Sequence, residues 1–129
     1  MDEKSTGSIM TQIQSPAAIA EAYFQTWRDR DYEAFGALLA ENARFVGSMG
    51  TADGGDACVN GVRGLRELLQ DIRVVRRFVD GNDVLTWFEL AIDGIDPVPV
   101  ANWSHVENCQ ITEIRVTFDP RSLIKRFGM

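Results

Sequence analysis

Few side chains in this sequence are equipped to move a proton or hold a reactive oxygen. Tyr23 places a phenol inside an apolar stripe between Ile19 and Trp27. Glu89 and His105 stand on two segments of alternating pattern, and turned together toward an enclosed face they would form an acid–base pair. Asp53 and Asp56 sit in a glycine-rich stretch, 47–61, where a mobile segment could swing a carboxylate over a bound ligand. Aspartates among glycines are equally turn formers. Cys58, in the same stretch, has no evident activating neighbour. The stretch matches neither a Gly-x-Gly-x-x-Gly nor a Walker phosphate cradle, and Gly47-Ser48-Met49-Gly50 is not a Gly-x-Ser-x-Gly nucleophile elbow. His105 is the one histidine, which excludes a His-rich zinc or iron site. Arg63, Arg66, Arg73, Arg76 and Arg77 cluster in sequence, but neighbouring acids dilute them and no aromatic residues interleave as a nucleic-acid surface requires.

The patterning predicts the scaffold that must position these groups. Ser15-Pro16 opens a helix: serine accepts an orphan amide, and proline lacks the amide that would otherwise be unpaired there. Ile19, Tyr23 and Trp27 then recur at helical spacing with Ala20 and Phe24 beside them, giving one broad apolar face. Asp31 caps a second, shorter helix with Phe35, Leu38 and Leu39 inward, and the short link predicts an antiparallel pair. A first strand is expected over 43–46, and the five glycines of 47–61 predict one long internal loop. Val62, Leu65, Leu69 and Ile72 predict a third helix.

From Arg73 the period changes to that of strands. Segments 73–79 and 84–92 flank Asp80-Gly81-Asn82-Asp83, and 98–106 and 111–118 flank Glu107-Asn108-Cys109-Gln110, two hairpin signals. Asp119-Pro120 stops the last strand, with a helical turn expected over 122–127. Helices first, then a meander of four long antiparallel strands, make an α+β layout. Residues 1–14, polar and small apart from Ile9, Met10 and Ile13, read as a flexible leader, with 15–129 as a single domain.

Composition narrows the function classes. The 129 residues are 45% hydrophobic and 25% charged, values of a globular chain rather than a disordered one. A net charge of −6 disfavours phosphate backbones and anionic lipid, so neither nucleic acid nor membrane is an expected partner. No apolar run approaches the roughly 18 residues of a membrane span. The first residues lack the basic start and apolar middle of a signal peptide, which predicts a cytoplasmic address with Cys58 and Cys109 reduced.

Alternation assigns faces to the strands. Phe88, Leu90, Ile92, Val100, Asn102, Ser104, Ile114, Val116 and Phe118 share the inner face, opposite Tyr23 and Trp27 of the first helix. An apolar wall with a few polar handles suits a small apolar ligand. The outer face carries Trp87, Glu89, Trp103, His105 and Arg115, and tryptophans amid charges there predict burial by a partner, a homodimer through Trp87, Trp103 and Arg115. A slip of one residue would exchange the two faces and turn Glu89 and His105 inward.

Several stretches together resemble a known family. Ala18-Ile19-Ala20-Glu21-Ala22-Tyr23-Phe24, Asp31-Tyr32-Glu33-Ala34-Phe35, Leu38-Leu39-Ala40-Glu41-Asn42-Ala43, Asn60-Gly61 and the run from Gln110 to Asp119 are similar to the SnoaL-like branch of the nuclear transport factor 2-like superfamily. The resemblance spans residues 16–121. It implies three N-terminal helices packed in the concave face of a strongly curved antiparallel sheet, a cone with an apolar pocket at its open end, and dimers through the outer sheet face. Members include ketosteroid isomerase, limonene epoxide hydrolase, polyketide cyclases and non-catalytic carriers.

Carried over by residue, the resemblance puts Tyr23 at the isomerase's oxyanion-binding tyrosine and Asn102 near its second oxyanion donor. An amide donates a hydrogen bond but cannot exchange a proton. The isomerase's general base falls on Gly47, and the polar catalytic positions of the epoxide hydrolase fall on Phe88, Leu90 and Val116. The expectation is a cofactor-free isomerase, cyclase or dehydratase of a carbonyl compound such as a polyketide or steroid-like molecule. Tyr23 and Asn102 would hold the oxyanion, with Asp53, Asp56, Glu89 or His105 as base and Trp27, Phe88, Leu90, Ser104, Val116 and Phe118 against the ligand. The alternatives are a non-catalytic ligand-binding or dimerisation module of the same fold, and a protein adaptor using the outer tryptophans.

Overall fold

The structure, a computed structural model, describes residues 15–129; the expected leader, 1–14, lies outside the described residues. Helix α1 (Pro16–Arg28) starts as its first residues dictate, with the Ser15 side chain accepting the Ala18 amide at 3.1 Å. Asp31 caps α2 (Tyr32–Ala37) by accepting the Ala34 amide at 3.2 Å. Strands β1 (Leu39–Gly47) and β2 (Gly50–Asp53) follow, then α3 (Gly55–Arg66). The meander is β3 (Asp71–Asp80), β4 (Asp83–Ala91), β5 (Val98–Glu107) and β6 (Gln110–Thr117), and α4 (Arg121–Phe127) ends the chain.

The six strands form one curved sheet in the order β2-β1-β6-β5-β4-β3. All neighbours run antiparallel except β1 and β6, which are parallel. The α+β cone expected from the sequence is the fold observed. Both predicted hairpins are present. Gly81 turns the first at φ +60°, and Asn108 and Cys109 turn the second at φ 51° and 64°, the left-handed pair of a tight two-residue connection.

The stretch 47–61 departs from expectation. It is not one loop: β2 pairs back onto β1 with Val46 opposite Thr51, and α3 begins at Gly55. Glycine costs up to ~1 kcal/mol in a helix, but tertiary burial outweighs that here, since Cys58 and Val62 of α3 are both in the core. Gly54, at φ +95°, makes the reversal from strand to helix that a side chain would strain. The first strand is also longer than expected, because Leu39, assigned by spacing to the second helix, opens β1. Likewise the third helix ends at Arg66, and Ile72 belongs to β3.

Three long-range ties fix α1 over the sheet. The Trp27 indole donates to the Val62 carbonyl of α3 at 2.9 Å. Arg66, only 4% exposed, donates to the Arg28 carbonyl at 3.2 and 3.1 Å and to the Leu69 carbonyl at 2.8 Å, capping the C-terminal end of α1. Arg28 in turn pairs with Asp71 at the start of β3 at 2.8 Å. Held this way, α1 presents Tyr23, Phe24 and Trp27 to the inner face of the sheet, where Phe88 packs 4.8 Å from Phe24 and 6.0 Å from Trp27, centroid to centroid.

Candidate functional site

The space between α1, α3 and the sheet is not filled. A cavity of about 500 Å³ lies there, within the usual range of small-ligand sites. Its floor is buried: Tyr23 from α1, Cys58 from α3, Phe88 and Leu90 from β4, Val100 and Asn102 from β5. Its mouth is formed by solvent-exposed residues, the Ser48–Gly50 turn of the β1–β2 hairpin on one side and Asn60, Gly61 and Gly64 of α3 on the other. Met129 at the chain's end closes the rim. The hairpin is tied in place by the Phe118 amide, which donates to Ser48 Oγ at 2.9 Å.

Period-two alternation sets which β5 side chains see the cavity. Val100, Asn102 and Ser104 are buried, while Ala101, Trp103 and His105 between them are only partly covered on the other face. Asn102 and Tyr23 both line the cavity floor, and Ser104 Oγ, one step further along β5, donates to Asn102 Oδ1 at 3.0 Å. Burial pushes the Tyr23 phenol well above its ordinary pKa, and a hydrogen bond from the Asn102 side chain offsets part of that rise. The phenol therefore keeps its proton and acts as a donor. Burial also pushes the Cys58 thiol up, with the Asp53 charge adding to it, and the thiol lies 3.7 Å from the Ala43 carbonyl and 3.8 Å from that of Ala52. Among the described residues lining this cavity there is no Asp, Glu, His, Lys or Arg.

The structure brings together Tyr23, Asn102, Trp27, Phe88, Leu90, Val116 and Phe118 around the cavity. Ser104 reaches it only through Asn102. The other named acids and the histidine are elsewhere. Glu89 lies on the outer face, opposite Arg73 on β3 and Pro99 on β5, so the slipped register that would turn it inward does not occur. His105 is on the same outer face, with Nδ1 2.7 Å from Asp83 Oδ1 and Nε2 3.5 Å from Glu107 Oε1. Asp53 pairs with Arg44 at 3.3 Å with its side chain 78% exposed. With Asp56 it borders a separate groove beside α2 rather than the mouth of the cavity. Gly47 does stand in the cavity wall, so the position the resemblance gives to a base carries no side chain.

Sequence reasoning missed the contribution of α3 and the β1–β2 hairpin, because 47–61 read as a loop. The available signal was Cys58, Val62 and Leu65 at i, i+4 and i+7, one apolar helical face interrupted by glycine.

On the outer face Trp87 is 44% exposed, beside Leu85 at 43% and Phe78 at 57%, which stand directly opposite each other across β3 and β4. Trp103 is less available. Its indole donates to Asp83 Oδ1 at 3.1 Å, and the Arg115 guanidinium, itself paired with Glu113, lies 5.8 Å from its ring centroid.

The SnoaL-like domain family matches residues 20–115. Among solved structures, an NTF2-like protein of unknown function from Cytophaga hutchinsonii is 24% identical, with a TM-score of 0.74 over 85% of this chain and 95% of that one. A protein with a ketosteroid isomerase-like fold from Catenulispora acidiphila, in complex with trimethylamine, is 18% identical with a TM-score of 0.70 over 86% and 92%. An LEH-like epoxide hydrolase of M. tuberculosis is 21% identical with a TM-score of 0.68 over 83% and 84%. At these identities the structural likeness concerns the fold. No curated protein matches the chain in sequence. The match along most of the domain and the cone with its open cavity agree: this chain belongs to the SnoaL-like family, within the NTF2-like, ketosteroid isomerase-like fold.

Proposed function

We propose that the protein binds, without turning over, a neutral and largely apolar small molecule that carries a carbonyl group. The observation behind this is the buried floor: two polar hydrogen-bond donors, Tyr23 and Asn102, in an otherwise apolar wall without an acid, an imidazole or a cation among its described residues. A charged ligand would lose its hydration with no counter-charge to meet it. A pure hydrocarbon would leave the Tyr23 hydroxyl proton buried without an acceptor. A carbonyl oxygen satisfies that donor and lets the rest of the molecule cover Phe88, Leu90 and Val100.

Isomerisation, cyclisation or dehydration through an enolate needs a base within reach of the substrate's α-proton. The ionisable groups on the cavity floor are the Tyr23 phenol and the Cys58 thiol, and burial keeps both protonated. The donor pair can polarise a carbonyl but has nowhere to send a proton.

The test is a titration with naphthyl methyl ketone and with ethylnaphthalene of the same skeleton, followed by fluorescence of Trp27 in the cavity wall, together with NMR of ketone α-proton exchange in heavy water. The ketone is expected to bind about tenfold tighter, the worth of one buried hydrogen bond, and its exchange to run at the rate of buffer. Equal affinities, or saturation by neither, overturn the binding assignment. Protein-dependent exchange overturns the absence of turnover.

We also infer that two copies associate through the outer face, on the strength of the apolar surface at Phe78, Leu85 and Trp87.

A further inference from the structure

β3 ends the sheet and pairs with β4 alone among the described residues. Its ten residues make a long open edge, a ready template for another strand. Natural sheets keep apolar side chains off such edges, yet Val74, Val75, Phe78 and Val79 are all exposed on this one. A β-bulge between Val74 and Arg76 breaks the register with β4 and blunts the first part of the edge. From Arg76 to Asp80 the register is unbroken.

The two-residue turn at Gly81 and Asn82 decides which backbone groups of that stretch are free. Asp80 and Asp83 flank the turn as a hydrogen-bonded pair. By alternation Phe78 and Arg76 also direct their N–H and C=O groups to β4, while Arg77 and Val79 direct theirs outward. Side chains alternate as well: Arg76 and Phe78 lie beside Trp87 and Leu85 on the outer face, Arg77 and Val79 beside Thr86 and Val84 on the inner.

This stretch is complementary to itself. Two antiparallel copies of it keep their faces aligned only when the two-fold axis passes through a residue. With the axis at Phe78, Arg76 faces Asp80 of the second copy, Phe78 faces its own counterpart, and Arg77 faces Val79. The outward N–H and C=O groups of Arg77 and Val79 then satisfy one another. An axis at Arg76 or Arg77 sets an arginine against itself, and an axis at Val79 runs the second copy into its own turn. Neither Arg76 nor Asp80 has an ion-pair partner among the described residues, so both charges are free to pair.

We propose that a second copy of the chain adds to the β3 edge in this register and continues the sheet from one molecule into the next. The contact goes beyond the binding function and is separate from association through the outer face, where Leu85 and Trp87 stay available. It is small beside the interface of a permanent dimer, so it forms as concentration rises. Its register is set by the Arg76–Asp80 pairs, because opposite charges across strands stabilise and like charges directly opposite destabilise.

The experiment uses a charge swap. Arg76→Asp leaves carboxylates at both positions, and Asp80→Arg leaves cations at both. Each variant alone opposes like charges about the axis, whereas a one-to-one mixture restores both pairs. Association is followed by sedimentation velocity, and exchange of the Arg77 and Val79 amides by NMR in heavy water. In the parent, exchange at those two amides should slow as concentration rises. Each variant should associate at least about tenfold more weakly, and the mixture should return to within about twofold of the parent. The double variant, Arg76→Asp with Asp80→Arg, should do the same. Variants that associate like the parent, or a mixture no stronger than its components, overturn the proposal. So does slow exchange at Arg77 and Val79 in dilute parent, which would assign the edge to another segment of the same chain. Exchange that stays fast at every concentration also overturns it. Ketone affinity should be unchanged in every variant, so failure here leaves the binding function standing.

Discussion

Gly61 and Gly64 are one turn apart on α3, both at the cavity mouth, and a methyl group built on either meets no atom within 4 Å. Two consequences of opposite sign follow. Neither residue has a backbone angle that requires glycine, so Gly61→Ala and Gly64→Ala each remove a helix-interior glycine at a gain of about 0.8 kcal/mol. For a chain of this length that gain raises the melting temperature by about 3 °C for each substitution, and the double variant by about 6 °C if the two are independent. Gly61→Leu keeps the helix gain but extends an isobutyl group from the rim, over the opening through which a ligand enters. Thermal unfolding and ketone titration on the same samples separate the effects. Alanine variants should be more stable with affinity within about twofold of the parent, whereas Gly61→Leu should be more stable with affinity reduced at least about tenfold. Alanine variants that melt lower than the parent would show the space beside α3 to be occupied. A Gly61→Leu variant with parental affinity would show that ligands do not enter past α3.

The remaining expectations concern the frame around the cavity. The hydrogen bond to Asp83, reinforced by Glu107, raises the pKa of His105 above its ordinary 6.5. That contribution to stability is complete below the unfolded value and is lost as pH rises through the folded one, so the melting temperature should fall across the window just above 6.5, and His105→Gln should flatten that slope. Arg66→Met leaves the Arg28 and Leu69 carbonyls without their buried donor and should cost about 3 kcal/mol in urea unfolding. Trp87→Glu places a charge in the outer apolar surface and should shift the protein toward monomer in sedimentation velocity while leaving ketone affinity unchanged.

The sheet was largely legible because its information is local. Strand β5 alternates strictly and β4 nearly so, and the turns at Gly81 and at Asn108-Cys109 carry the residues that tolerate left-handed angles. The same alternation correctly turned Asn102 inward and Trp103 outward. What local patterning did not reveal is decided by packing across the molecule. Five glycines argued for a loop over 47–61, yet β2 gains pairing from β1, and Cys58 and Val62 gain burial that offsets the glycines' intrinsic cost. The void was not visible either, because a stripe such as Tyr23 and Trp27 looks the same whether the sheet opposite touches it or stands back. Gly47, Gly61 and Gly64 line that void, and an absent side chain has no periodicity. Asp53 was expected on a mobile loop over the ligand, but it stands on β2 paired with Arg44 across β1, beside a separate groove.

The most direct test of a cavity with a donor floor is the crystal structure of the protein soaked with naphthyl methyl ketone. The predicted result is the naphthyl group against Phe88 and Leu90 with the carbonyl oxygen about 2.7 Å from the Tyr23 hydroxyl. A ketone bound with its carbonyl toward the mouth, or seated outside the cavity, would contradict it.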